Sequence, residues 1–186
     1  KPNNISKPAA LMFSGDTFNG LSIRTLSPDS LIYAQKNLRI LSGLYGVLKP
    51  FDEIQAYRLE MGVNIKTLMN LNLYELWGST LTNYFNEHLK LSDNKLLYNL
   101  SSNEYFSVLN NRELNAEIIN FDFKKKDKNN KFKNIGMLIK KMRGLMAKFI
   151  IEKKIDKLEN LKEFKSNGFS FKEYAPETKT FLYVSQ

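Results

Sequence analysis

Apolar residues recur at every third or fourth position in three stretches of the chain, and this spacing predicts three amphipathic helices. Ser27 is placed to cap the first helix, which we expect to cover residues 28–42 and to stop at Gly43. Asn72 and Glu75 are spaced as a capping box for the second helix, over residues 73–89. The third helix is basic. The three apolar stripes consist of Leu31, Ala34, Leu38 and Leu41; of Leu73, Leu76, Trp77, Leu81, Phe85 and Leu89; and of Leu138, Met142, Leu145, Met146 and Phe149.

Other segments predict strands. Residues 95–100 and 116–124 have strand character, and the polar run 127–130 predicts a hairpin turn towards a short strand at 132–135. Residues 11–14, 168–174 and 180–184 also predict strands, and Asp156 and Glu159 are spaced as a further capping box. Short strands that are scattered among helices favour an α+β fold, and we expect a single compact domain over residues 1–186.

The amino-acid composition indicates a folded globular protein and excludes several classes of site. The 186 residues are 42% hydrophobic, which is enough to bury the core of one domain. Cysteine is absent, so disulfides, thiolate metal sites and cysteine nucleophiles are excluded. No apolar run is long enough for a membrane helix and no signal peptide is evident, so we expect a cytoplasmic protein without a membrane partner. The first residue is Lys1 rather than methionine, and we expect further sequence upstream.

The net charge of +9 is concentrated in one segment. Residues 124–157 contain 13 basic and 3 acidic residues, a net charge of +10, whereas the sequence before them sums to −1 and the sequence after them to 0. Concentrated positive charge attracts polyanions, and nucleic acid is therefore the leading candidate partner. The alternative is a lysine-rich solvated surface without a partner.

Two groups of residues are candidates for phosphate contacts. The paired glycines of Gly43-Leu44-Tyr45-Gly46 follow a helix that bears Lys36 and Arg39, with Lys49 beyond, and could bring backbone amides close to a phosphate. An ordinary helix stop and turn explains the same glycines. On the basic helix, Gly144 projects among the cations and could admit either a phosphate or another element of the protein. Those cations are Lys140, Lys141, Arg143 and Lys148.

A second set of polar residues could form an acid/base or oxygen-ligand pocket if the fold brings them together. Buried ion pairs that organise the core are the alternative. The only histidine, His88, has no second histidine for a metal pair, and we interpret it as a surface residue. We expect no metal and no cofactor, because no compact ligand motif is present. The candidate pocket residues are Asp16, Arg58, Glu60, Asn99, Ser101, Glu104, Tyr105 and Glu117.

An ordered series of short segments carries a family resemblance. The segments are FSGDTFNGL (13–21), LRILSGLYGVLKP (38–50), YRLEMG (57–62), LY (73–74) with WG (77–78), NLS (99–101) with EYF (104–106), LNAEII (114–119), KKMRGLM (140–146) and FII (149–151). In these segments the chain resembles the YaaA family of peroxide stress proteins. Family members carry an additional amino-terminal stretch with an Ile-Ser-Pro-Ala-Lys-like motif, which this sequence does not contain.

The resemblance implies a compact α+β fold of the family's own type and DNA binding through a helix-hairpin-helix-like element. It also implies a role in limiting iron-dependent damage during peroxide stress. Our first hypothesis is therefore a protein that binds double-stranded or structured DNA, mainly through phosphates and without specific base readout. The alternatives are an enzyme that acts on a small anionic substrate in the carboxylate and arginine pocket, and a scaffold that binds a protein partner. The expected nucleic-acid contacts are Lys36, Arg39, Gly43, Gly46, Lys49, Lys140, Lys141, Arg143 and Lys148.

Overall fold

A computed structural model describes residues 5–92, 94–127, 129, 132–133 and 135–185 of the chain. It is α+β, as predicted. The helices are α1 (Ala9–Met12), α2 (Asp16–Leu21), α3 (Pro28–Asn37), α4 (Lys66–Met69), α5 (Leu73–Leu89), α6 (Asn103–Phe106) and α7 (Gly136–Lys153), with 3₁₀ turns at Ile23–Thr25 and Leu158–Glu163. The strands are β1 (Ser6–Pro8), β2 (Ile40–Ser42), β3 (Gly46–Leu48), β4 (Glu53–Gln55), β5 (Leu96–Asn99), β6 (Glu117–Lys126), β7 (Phe132–Lys133), β8 (Lys165–Ser166), β9 (Phe169–Ala175) and β10 (Thr180–Ser185).

The chain folds into two compact units, each assembled from separate parts of the sequence. Unit 1 comprises Lys1–Met12, Leu38–Leu97 and Ser101–Glu117. Unit 2 comprises Phe13–Asn37, Tyr98–Leu100 and Ile118–Gln186. The single domain that we expect from the chain length stays a prediction. Among the described residues, no helix combines the length and the apolar character that crossing a membrane requires.

The longest helix of unit 1 is α5, which has the predicted bounds and the predicted cap. The Asn72 side chain accepts a hydrogen bond from the Glu75 amide at 2.9 Å, and the Glu75 carboxylate accepts one from the Asn72 amide at 2.7 Å. Leu73, Leu81 and Phe85 of the apolar stripe are buried. The other elements include the antiparallel pairs β1–β4 and β2–β3.

Unit 2 contains a sheet with the strand order β5, β6, β10, β9, β8, in which β6 and β10 are parallel and β7 pairs with the end of β6. Phe123 of β6 lies at the centre of an aromatic core, with ring contacts to Phe164, Phe169 and Tyr183. The buried Tyr183 hydroxyl donates to the Leu161 carbonyl at 2.8 Å. The predicted strands at 95–100, 116–124, 168–174 and 180–184 are confirmed. Strand β7 confirms residues 132–133 of the second arm of the predicted hairpin, whereas Ile135 already caps α7. Residue 134 of this arm and residues 128 and 130 of the turn lie outside the described residues.

Helices α2 and α7 of unit 2 are packed together through their glycines. A Cβ atom added to Gly144 would lie 1.9 Å from the Thr17 carbonyl oxygen and 2.9 Å from the Cα atom of Gly20. A Cβ atom added to Gly20 would lie 2.3 Å from the Lys141 carbonyl oxygen. Of the two interpretations of Gly144, the structure therefore supports contact with another element of the protein.

The predicted helix over residues 28–42 is too long. Helix α3 ends at Asn37, and the residues after it form the β2–β3 hairpin, with Ile40 opposite Leu48 and Ser42 opposite Gly46. The Ser27 cap is confirmed by a 3.2 Å hydrogen bond from the Ser30 amide. Two apolar runs that are joined by a short glycine-containing turn satisfy their backbone groups by pairing with each other, which overrides the helical spacing. The glycine-containing segment that we considered for phosphate contacts is thus the turn of a β-hairpin.

Two further predictions of local structure are wrong. Residues 11–14 do not form a strand, because the apolar run belongs to α1, where the amides of Ala9 and Ala10 donate to the carbonyls of Asp52 and Pro50 at 2.8 and 2.9 Å. The predicted capping box of Asp156 and Glu159 is also absent, since the 3₁₀ turn Leu158–Glu163 starts there instead, without a side-chain cap.

Candidate nucleic-acid interface

The predicted phosphate contacts are divided between the two units. Arg39, Gly43, Gly46 and Lys49 belong to unit 1, whereas Lys36, Lys140, Lys141, Arg143 and Lys148 belong to unit 2. Each set is therefore described within its own unit.

Arg39 of unit 1 is held by neighbouring side chains. Its Nε donates to the Tyr84 hydroxyl at 2.7 Å, its Nη1 donates to the Leu38 carbonyl at 2.8 Å, and its Nη2 contacts Nε2 of His88. The Tyr84 and His88 rings are stacked at 6.0 Å. Because a guanidinium only donates, Nε2 of the exposed His88 acts as the acceptor. Arg39 thus has an intramolecular role at this position, which the sequence did not reveal.

The glycines of the β2–β3 turn face the protein. A Cβ atom on Gly43 would lie 2.5 Å from the Leu59 carbonyl oxygen, and one on Gly46 would lie 2.9 Å from the Trp77 ring. The Trp77 indole N–H also donates to the Gly43 carbonyl at 3.0 Å. These glycines have a role in internal packing that neither sequence interpretation anticipated, and of the helix stop and turn that we considered as the alternative only the turn is present. Lys49 remains exposed beyond them.

The cations of α7 differ in their surroundings. Lys140 and Lys141 are exposed, and neither forms an ion pair with any residue that the structure describes. Lys148 lies 3.7 Å from a Glu152 carboxylate oxygen and donates to the Thr25 hydroxyl at 2.7 Å. Burial lowers the pKa of Arg143, while the nearby Asp122 carboxylate acts in the opposite direction. Lys140 and Lys141 are therefore the residues on this helix that are best placed to meet a phosphate.

The β6–β7 hairpin carries lysines that are not among the predicted phosphate contacts. Lys125 pairs with Lys133 and Lys126 pairs with Phe132 across the two strands. Like charges directly opposite each other destabilise the pairing of two strands. An ion pair between Lys133 Nζ and Asp127 Oδ2, at 3.2 Å, offsets part of the repulsion between Lys125 and Lys133. The high lysine content of this hairpin could have been recognised in the sequence, since residues 124–133 contain six lysines and one aspartate.

We call Lys125, Lys126, Lys133, Lys140 and Lys141 the basic surface of unit 2. Helix α7 begins three residues after Lys133, so the hairpin ends close to the first turn of the helix. Lys133 is paired with Asp127, whereas the other four lysines form no ion pair among the described residues, and their concentrated positive charge attracts anions.

The candidate pocket residues are also divided between the units. Asp16 and Asn99 lie in unit 2, where the Asn99 amide donates to the Asn120 side-chain oxygen at 3.0 Å. The others lie in unit 1, and their Arg58–Glu60 pair is exposed, with 3.8 Å between Nη2 and Oε1. It is not the buried ion pair that we considered as the structural alternative. The remaining members in unit 1 are Ser101, Glu104, Tyr105 and Glu117.

Part of this set does form a cluster in unit 1. Burial raises the pKa of the Tyr105 phenol, and Tyr57, Glu104 and Glu60 raise it further, which places these groups near one another. The Glu104 carboxylate also accepts the Gly62 amide at 3.0 Å. We call Tyr57, Glu60, Glu104 and Tyr105 the tyrosine–glutamate cluster.

Among the described residues, no group of three or more histidine, aspartate or glutamate side chains is close enough to hold a metal ion. A cavity of about 330 Å³ opens on the sheet of unit 2, and none of the candidate pocket residues lines it. It is lined by Asp122, Lys124, Glu173, Ala175, Thr178, Thr180 and Leu182.

Fold and site together define an α+β protein whose excess positive charge is carried by exposed lysines of one compact unit. A family model described as "Peroxide stress protein YaaA" matches residues 1–175. The chain belongs to this family.

Individual relatives agree with the family match. The chain is 50% identical over 166 residues to a UPF0246 protein of Pseudoalteromonas translucida (strain TAC 125), which covers 89% of this chain and 64% of the relative. It is 46% identical over 178 residues to one of Aliivibrio fischeri (strain MJ11), with 96% and 68% covered. It is 42% identical over 185 residues to one of Legionella pneumophila (strain Corby), with 98% and 72% covered. The chain thus spans roughly two thirds of the length of these curated relatives.

Proposed function

We propose that this protein binds DNA during the response to hydrogen peroxide and holds the phosphates with the basic surface of unit 2. The family description supports the link to peroxide stress. The observation that carries the DNA proposal is the pair Lys140 and Lys141, exposed on α7 and without an ion pair among the described residues. Cations that are already paired with carboxylates have little to offer a phosphate, whereas these two are available.

The contact is electrostatic and independent of base sequence. Lysine meets phosphate as a mobile point charge, and each neutralised phosphate releases condensed cations from DNA. Ferrous iron that is held on phosphates belongs to this released population. Binding would therefore remove iron from the DNA surface at the moment when peroxide makes it harmful, which connects DNA contact to protection from iron-dependent damage.

Charge reversal on α7 tests this proposal. Lys140→Glu with Lys141→Glu should weaken duplex binding at low salt by at least about tenfold and lower the slope of log K against log salt by about 2, since two phosphate contacts are lost. Fluorescence anisotropy across a salt series measures both quantities. Equilibrium dialysis of ferrous iron with duplex DNA should show less retained iron with the natural protein than with the double variant.

The matched control reverses two exposed lysines of the same unit outside the basic surface. Lys165→Glu with Lys172→Glu changes the net charge equally on β8 and β9, and should leave the salt slope nearly unchanged. Equal effects of the two double variants would show that net charge alone governs the affinity, and the proposed surface would then be wrong.

The tyrosine–glutamate cluster supports a second candidate function, an enzyme that acts on a small anionic substrate. Its phenols and carboxylates lie close enough to influence one another, and the Arg58 guanidinium is paired with one of the carboxylates. Such groups can move protons at a bound substrate. Competition between nucleotides and duplex DNA separates the two candidates, because nucleotides that bind unit 1 would leave DNA binding by the basic surface unchanged.

Glu60→Gln should change the free energy of unfolding by less than about 1 kcal/mol, because the Arg58–Glu60 pair is exposed and screened by water. Urea denaturation measures this change, and Arg58→Gln, which removes the other partner, should behave alike. A loss of several kcal/mol in the Glu60 variant alone would mean that the carboxylate organises the core. A stable variant that no longer binds nucleotides would instead support the enzyme.

A further inference from the structure

The sulfur atoms of this protein are all methionine thioethers. The chain contains six methionines and no cysteine, so its peroxide-sensitive sulfur chemistry is restricted to thioether oxidation. Exposure separates these methionines. Met61, Met142 and Met146 are fully buried at 0%, whereas Met69 is 49% exposed and Met137 is 71% exposed. Susceptibility follows solvent access, and Met137 is therefore the most accessible of these five sulfur atoms.

Met137 lies one helical turn before two lysines of the basic surface of unit 2. It is in the first turn of α7, and Lys140 and Lys141 follow it by three and four positions. Side chains at these spacings are neighbours on the same face of a helix. An apolar side chain that is 71% exposed contributes little to the core, so burial does not explain the presence of Met137 next to these lysines.

We propose that Met137 is a site of oxidation by hydrogen peroxide, and that its sulfoxide weakens the hold of Lys140 and Lys141 on DNA. The regulatory half of this inference rests on the proposed DNA binding; the oxidation itself does not. Peroxide would in this way release DNA-bound protein once oxidation accumulates.

The reaction is a two-electron oxygen transfer that needs no other reactant. A lone pair of the Met137 sulfur attacks one peroxide oxygen, an S–O bond forms and the O–O bond breaks. The departing hydroxide takes the proton from the transferred oxygen and leaves as water. Sulfur is oxidised, peroxide is reduced, and the products are one methionine sulfoxide and one water.

Oxidation of Met137 places a polar group next to Lys140 and Lys141. A thioether is a weak hydrogen-bond acceptor, whereas the sulfoxide is polar and its oxygen carries negative charge. At these helical spacings the sulfoxide oxygen would be within reach of the ammonium groups of Lys140 and Lys141 and would compete with phosphate for them. The loss of about one hydrogen bond's net contribution corresponds to a decrease in affinity of roughly three- to tenfold.

The experiment treats the full chain with hydrogen peroxide and follows two readouts. Peptide mass spectrometry should show Met137 sulfoxide forming well before sulfoxide at Met142 and Met146, which are internal controls on the same helix. Duplex affinity, measured by anisotropy before and after treatment, should decrease three- to tenfold and recover after methionine sulfoxide reductase. The ratio of the two affinities should be close to one in Met137→Leu and unchanged from the natural chain in Met69→Leu.

Each outcome decides a specific point. Oxidation of Met137 no faster than that of the buried methionines overturns the modification site. Rapid oxidation of Met137 that leaves the duplex affinity of the natural chain unchanged overturns its regulatory role. A loss of affinity in Met137→Leu as large as that in the natural chain overturns it as well. Absence of duplex binding before any peroxide is added refutes the proposed function and with it the regulatory role, while the mass spectrometry still decides whether Met137 is the oxidised residue.

Discussion

Gly144→Ala should destabilise the protein by about 3 kcal/mol, because the added methyl group has no room between α7 and α2. Its carbon would lie 1.9 Å from the Thr17 carbonyl oxygen and 2.7 Å from the Leu21 amide nitrogen. Both are backbone atoms of α2, so the clash is relieved only if the two helices move apart. Alanine is the better helix former by about 1 kcal/mol, and this gain is too small to offset the clash.

Gly136→Ala is the matched control for this prediction. Gly136 is the first residue of the same helix, and a Cβ atom there would meet nothing within 4 Å. The same substitution should therefore be neutral or stabilising by up to about 1 kcal/mol. Urea denaturation of both variants gives the comparison. A Gly144→Ala protein that is as stable as the control but binds DNA poorly would instead support phosphate contact at this glycine.

Gly46→Ala should cost about 3 kcal/mol from two separate causes, an unfavourable backbone conformation and a clash with an aromatic ring. Gly46 has a φ angle of 73°, which side-chain-bearing residues rarely adopt. A Cβ atom would also lie 2.9 Å from the Trp77 ring, which is held in place by the hydrogen bond from its indole N–H to Gly43. Neither the backbone nor the ring can adjust without loss of the β2–β3 turn.

Gly168→Ala separates the two causes. Gly168 has a similar φ of 77°, but its nearest neighbour would be the Ser185 Cβ atom at 3.9 Å, an ordinary contact. Its substitution should cost about 1 kcal/mol, the backbone part alone. The difference between the two variants in thermal or urea denaturation therefore measures packing against Trp77. If they lose equal stability, the close approach of Trp77 is not rigid.

Local sequence was sufficient where neighbouring residues satisfy one another. The capping box of Asn72 and Glu75 involves groups three residues apart, so the start of α5 could be predicted without knowledge of the fold. Alternation along β6 likewise reports burial on one face of a sheet, whichever strands pair with it. The concentration of positive charge in residues 124–157 is a property of the sequence itself, so it could be recognised without the fold.

Tertiary structure decided everything that depends on a distant partner. The intramolecular role of Arg39 depends on Tyr84, 45 positions away, whose hydroxyl accepts the Arg39 Nε–H. Gly144 became a packing residue because Thr17 lies against it. No periodicity encodes such pairs. The sequence by itself therefore determined the well-capped helix α5, the main strands and the location of the charge, whereas only the fold decided which cations remain free, since ion pairs and close backbone contacts form between segments that are remote along the chain.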